Sequence, residues 1–374
     1  MIKNILLQIF PPISFRNIIY EYFPLISFYL FALELVFKDE TLYMVIGTIL
    51  LFPYFIKFIG NRSSYQQMLI LFLLMMLGGL MNMLNTDSGI GGLVILLGHF
   101  LMAVYCMDHL STIKWHSIVI IAAYSYYIIS NIATLGYDNS AFLFEEYGLS
   151  RNAGGAALTT FTVFFVFAHY ITTKKIPFII PLLVIVPTYM CSGRSSIAAL
   201  LFLAVICFLH RGSKKMTVLF FLILAVALFY TQSYIQDFYE LSTFATKGTE
   251  SVRSDMWASY FNNMSFVDFI LGPNTNSFTF PLLKQVDGNP HNMFLNIHRR
   301  FGIFVVLTFI YFLIKSIWLY WRKDRSFIPI LIGVILFRAF FDSMYFISRC
   351  DFVVLTILFY VFYRESKNQP LFCV

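Results

Sequence analysis

The feature that leaves this chain the fewest choices is a series of apolar runs close to twenty residues long, separated by short polar connections and continuing from one end to the other. About twenty residues of helix cross the hydrocarbon core of a bilayer, and in hydrocarbon only helices and closed barrels satisfy their own backbone. The chain supplies about twelve such runs. They cover Ile18 to Phe37, Leu42 to Ile59, Met68 to Leu84, Ile90 to Met107, His116 to Thr134 and Gly154 to Thr172. The second half adds Ile176 to Cys191, Ile197 to His210, Met216 to Ser233, Gly302 to Tyr320, Phe327 to Phe346 and Phe352 to Tyr363. Some are short, which tilt or pairing of spans accommodates. The expected fold is all-α: one integral-membrane domain, residues 1–374, with a large external loop at 234–301 between the ninth and tenth spans.

Composition agrees, since 59% of residues are hydrophobic, only 12% are charged and mean hydropathy is +0.76, which excludes a soluble globular protein. The net charge of +7 does not point to nucleic acid, because Lys and Arg sit in short clusters between apolar runs. Such clusters orient spans. Lys3 and Arg16, Lys57 and Arg62, Lys114, Lys174 and Lys175, Arg211 with Lys214 and Lys215, Arg322 with Lys323 and Arg325, and Arg364 with Lys367 all fall on one side. Both termini are therefore expected in the cytoplasm, and the 234–301 loop outside. The pair Arg299-Arg300 is the exception, closing that loop. The five cysteines have no ligand spacing; Cys191 and Cys350 lie near one face, where pairing in an oxidising compartment is the alternative to free apolar thiols.

The loop ends in Gly288-Asn289-Pro290-His291-Asn292-Met293, which local rules read as a helix start with Asn289 as N-cap and Pro290 in the first helical position. His291 would then lie in the first turn, where the dipole disfavours a protonated imidazole and keeps it competent as a base. His291, Leu295, His298 and Gly302 would form one stripe, with Gly302 admitting a neighbouring backbone.

Three further cations stand out on the outer side. Arg194, in Ser192-Gly193-Arg194-Ser195, is either a snorkelling anchor or a phosphate ligand. Arg253, one turn before Trp257, either pairs with Glu250 or Asp255 or binds an anion. Arg338 and Asp342, four apart in a span, read as a packing ion pair. Forked guanidinium groups beside a helix start suit a lipid-linked diphosphate. No phosphate loop, His-Glu-x-x-His or external Asp-x-Asp occurs, so neither metal nor cofactor is expected.

On these residues the chain resembles the O-antigen polymerase and O-antigen ligase superfamily of bacterial inner-membrane proteins. The landmarks, in order, are Ser192-Gly193-Arg194-Ser195, Arg253 with Trp257, Leu271-Gly272 followed by Phe278, and His291-Asn292 followed after nine residues by Gly302. Leu149-Ser150-Arg151-Asn152-Ala153-Gly154 is a weaker match, and the resemblance covers about Gly148 to Phe304. Val305 stands where the ligases usually carry Gly, Thr or Tyr, which favours polymerase.

What the resemblance implies is a GT-C-like, metal-independent, inverting glycosyl transfer on the periplasmic side of the inner membrane, from an undecaprenyl-diphosphate-linked oligosaccharide. In a polymerase the acceptor is a second lipid-linked repeat unit; in a ligase it is lipid A core. Arg194 and Arg253 would hold the diphosphate and His291 would take the acceptor proton. Arg151, Asn292, Arg300, Trp257 and Tyr260 are candidate glycan or phosphate contacts, and Gly302, Arg338 and Asp342 are structural. Membrane lipid is an expected partner, as are a chain-length regulator and a flippase of the same route. The competing class is a transporter or flippase, disfavoured by the absence of a repeat and by few ionisable residues within spans: Glu34, His99, His169, Lys315 and Arg338.

Overall fold

A computed structural model describes residues 18–33, 40–86, 90–135, 151–191, 194–211, 252–285, 288–324, 327–340 and 350–372. All regular structure among them is helical. After a π-helical turn at Ile18–Tyr22 come α1 (Phe23–Ala32), α2 (Glu40–Leu50), α3 (Phe52–Gly60), α4 (Arg62–Asn82), α5 (Gly91–Asp108) and α6 (Leu110–Leu135). Next are α7 (Arg151–Thr173), α8 (Ile179–Met190) and α9 (Arg194–Arg211). The loop contributes α10 (Val252–Asn262), α11 (Phe266–Leu271), α12 (Pro281–Lys284) and α13 (Met293–Phe301), and the chain closes with α14 (Ile303–Asp324), α15 (Phe327–Phe340) and α16 (Asp351–Ser366).

The helix that is apolar all round is the one that is buried all round. Every residue of α16 from Asp351 to Tyr363 is buried, and it packs against α5, α4, α14 and α7. Around this post α7 is also largely enclosed, and its Thr159, Thr160 and Thr162 hydroxyls return hydrogen to the carbonyls four residues earlier. No polar group on those threonines is left facing hydrocarbon. By contrast α4, α6 and α14 each present an outward apolar face.

Among the described residues, five helices are long and apolar enough to cross a membrane: α4, α5, α6, α7 and α14. The α2–α3 pair, bent by 56° where Pro53 interrupts the ladder of backbone bonds, makes a sixth if it is one broken span. Residues 18–32, 179–190, 195–210 and 327–340 form shorter apolar helices. The expected ninth run, Met216 to Ser233, and the first part of the loop, residues 234–251, lie outside the described residues. Cys191 and Cys350 are separate buried thiols, so the alternative of a disulfide between them falls.

Two opposite ends of the bundle are polar. At one, Asp108 at the C-terminus of α5 accepts from Tyr65 of α4 at 3.2 Å, from Tyr363 of α16, and pairs with Lys57 of α3 at 2.6 Å. At the other, the folded loop sits on the end of α4.

Candidate active site

The loop has its own small core: Met256, Tyr260, Phe280 and Leu283 are buried together, with Trp257, Met264 and Leu295 against them. It is fastened to the bundle through side-chain amides. Asn82, the last residue of α4, donates to the carbonyls of Leu271 (2.9 Å), Arg299 (3.0 Å) and Gly272 (3.1 Å), while Asn85 reaches Gly272 and the Asp268 carboxylate, both at 3.0 Å. Burial alone would raise the Asp268 carboxyl, but hydrogen bonds from Ser265 and Asn85 outweigh it and hold its pKa below the ordinary value.

Two glycines close the joint. Gly302 ends α13 at φ +79°, and a Cβ there would strike the Ile270 carbonyl; Gly272, at φ +94°, lies as close to the His298 and Arg299 carbonyls. Both positions need the left-handed region and a bare α-carbon, so the space expected beside Gly302 is filled by the loop's own backbone.

The helix start differs from the expectation. Asn292, not Asn289, is the N-cap of α13: its Oδ1 accepts from Phe294 and Leu295 N–H at 2.9 and 3.2 Å. Its Nδ2 also donates to the Phe340 carbonyl at 3.2 Å, a bond across the fold that no local pattern contains. Asn289 instead makes a turn, accepting from His291 N–H at 2.9 Å. His291 precedes the helix, in the left-handed region at φ +47°, and does not belong to the stripe of Leu295, His298 and Gly302. The dipole argument for its neutrality therefore lapses, since two of the free N–H groups are already taken by Asn292.

Two candidate contacts and the expected Arg338–Asp342 pair are placed as follows. The Asn292 side chain is buried, and its Oδ1 is taken up in capping α13. Tyr260 is buried too, its hydroxyl 2.6 Å from His298 Nδ1, and it has no face for a sugar ring. Arg338 is buried with its Nε bonded to Ser196 Oγ at 2.9 Å, a partner the sequence did not suggest; Asp342 lies outside the described residues. Trp257 remains half-buried, its indole N–H donating to the Pro290 carbonyl at 2.9 Å and its ring edge-on to Phe340 at 5.3 Å.

Arg194 opens α9 and Arg151 opens α7; nothing further is described of those two side chains. Arg253 is half-buried one turn before Trp257. These elements converge on the end of α15: Arg338 meets Ser196, two residues beyond Arg194, while Phe340 meets Trp257 and Asn292, the neighbour of His291.

Two sets of residues make contacts that sequence reasoning did not give them. His298 Nε2 lies 2.8 Å from the Phe269 carbonyl, which can only accept, so Nε2 carries the hydrogen and Nδ1 accepts from Tyr260 in the neutral ring. Burial depresses its pKa. Arg299 donates to the Gly288 carbonyl at 2.6 Å and to Thr275 at 3.3 Å; burial, with Arg300 beside it, lowers its guanidinium to about 9, which leaves it charged at neutral pH. The second set is deeper: Asp351, fully buried, lies 4.0 Å from His99 Nε2, and burial also lowers Arg300, with the Asp351 charge opposing. The signal was a histidine in the middle of an otherwise apolar run.

Compared with protein-family models, curated proteins and solved structures, the chain finds no match in any of the three.

Proposed function

We propose that the chain is a polyprenyl-diphosphate-dependent glycosyltransferase of the inner membrane, acting as an O-antigen polymerase, with about twelve spans, cytoplasmic termini and the 234–301 loop on the periplasmic side. One observation carries the reading: the end of α15 contacts the three segments that bear Arg194, Arg253 and His291, through Ser196, Trp257 and Asn292. The segments that carry these cations and the half-buried His291 all approach α15 at one end of an apolar bundle, which supports a site for the transfer of a lipid-held glycan.

In this mechanism Arg194 and Arg253 hold the donor diphosphate and stabilise the charge that grows as the anomeric C–O bond breaks. The acceptor hydroxyl attacks that carbon from the opposite face and gives its proton to His291. The configuration inverts, and the diphosphate leaves on its prenyl chain. Trp257 offers the partly open ring for a sugar.

The test is transfer between lipid-linked repeat units by the protein in vesicles. His291→Ala should lower turnover by about 10²–10⁴-fold, and Arg253→Lys by at least about tenfold because charge survives but the two-pronged geometry does not. Full polymer from both variants ends the proposal, and transfer only onto lipid A core would reassign the chain as a ligase.

A further inference from the structure

The short helix α11 turns its polar side to the protein and leaves an apolar face uncovered. Asp268 faces Asn85, and the Leu271 carbonyl receives Asn82. On the other side of the same turn Phe266 is 79% exposed, and Val267 and Phe269 are exposed as well. Large apolar side chains at such exposure cost free energy in water.

The position of α11 says what covers them. It packs against the end of α4 and the beginning of α14, two of the helices long enough to cross the membrane. Its last turn lies against Gly302, the residue from which α14 departs. Leu84, two residues past the end of α4, is 86% exposed, and Phe304 in the first turn of α14 is 63% exposed; both are apolar. Exposed apolar side chains thus occur both at the ends of the two spans and on the α11 that packs against them, at the level where helices end and aromatic residues favour the interface.

We infer that α11 is an interfacial anchor whose Phe266, Val267 and Phe269 side chains enter the headgroup and acyl boundary of the bilayer leaflet on the loop side. The anchor is bonded to the site: the Phe269 carbonyl meets His298, and Gly272 lies against the backbone of His298 and Arg299. Its depth therefore sets the height of α13 above the membrane. The inference needs only that the bundle spans a bilayer, and stands apart from the glycan-transfer reading.

Nitroxide labels at Phe266→Cys and Val267→Cys, with Asp255→Cys on α10 as an exposed reference, test it in a background whose five native cysteines are replaced by serine. The full chain is placed in vesicles of phosphatidylethanolamine and phosphatidylglycerol. Collision with oxygen, relative to collision with a water-soluble nickel chelate, should be several-fold higher at 266 and 267 than at 255. Equal ratios at the three positions overturn the inference, because the face then meets water. Immobile labels at 266 and 267 that neither reagent reaches also overturn it, because protein, a second copy included, then covers the face. Both sites are exposed, so the substitutions leave the packing intact.

Discussion

The two polar ends of the bundle are held by different chemistry. At the Asp108 end, side chains from α3, α4, α5 and α16 meet around one carboxylate, and the backbone takes no part in those bonds. At the loop end, Asn82, Asn85, Asn292 and Arg299 bond mostly to backbone carbonyls of a segment that is not one continuous helix. The first arrangement ties helices that are already formed. The second supplies hydrogen bonds that irregular backbone lacks, and so determines the shape of the loop itself. Removing a contact should therefore loosen the bundle at one end and unmake a local fold at the other.

Asn82→Leu is the most severe way to probe this difference. It leaves the Leu271 and Arg299 carbonyls without their amide donor, while the Gly272 carbonyl keeps Asn85, so at about 1 kcal/mol or more each the loss is roughly 2 kcal/mol in all. Limited proteolysis should cut residues 252–301 while the spans stay protected. Cleavage no faster than in the parent would mean that the loop's own core suffices.

Asp108→Asn at the opposite end keeps the tyrosine bonds and removes the charge that Lys57 answers. With Lys57 partly exposed, the loss should be about 1 kcal/mol, read as a small fall in the thermal midpoint in detergent with no change in loop cleavage. A loop that becomes cleavable would break the separation of the two ends.

Acid should act on the loop end through His298. Burial lowers its folded pKa, so its contribution is complete above the unfolded value of about 6.5 and is lost as pH falls from there through the folded pKa. Loop cleavage should rise as pH drops below that value, and His298→Asn should flatten the dependence. The mildest change, Tyr260→Phe, deletes only the hydroxyl that His298 Nδ1 accepts from, at a cost of about 1 kcal/mol. Unaltered turnover in the transfer assay would fit its enclosed position.

The helical class and the positions of the longest apolar helices were legible because hydrocarbon permits little else: apolar length alone announces α4, α5, α7 and α14. Gly302 was legible for a similar reason, as a bare α-carbon at a helix end. The helix start was not. Asn289-Pro290 satisfies the local rule as well as Asn292 does, and the choice falls to Asn292 because its amide also reaches Phe340, forty-eight residues away. The partners of Tyr260 and Arg338 were hidden for the same cause, since His298 and Ser196 lie far along the chain. Asp351 stands just before the last apolar run, and only the packing of α16 against α5 takes it inside beside His99.

The break between α13 and α14 is a single residue seated on the Ile270 carbonyl, where a β-carbon would collide. A bulkier residue at 302 would have to lift the loop off the first turn of α14, so the seating of Arg299 and Arg300 over the bundle hangs on one missing methyl group.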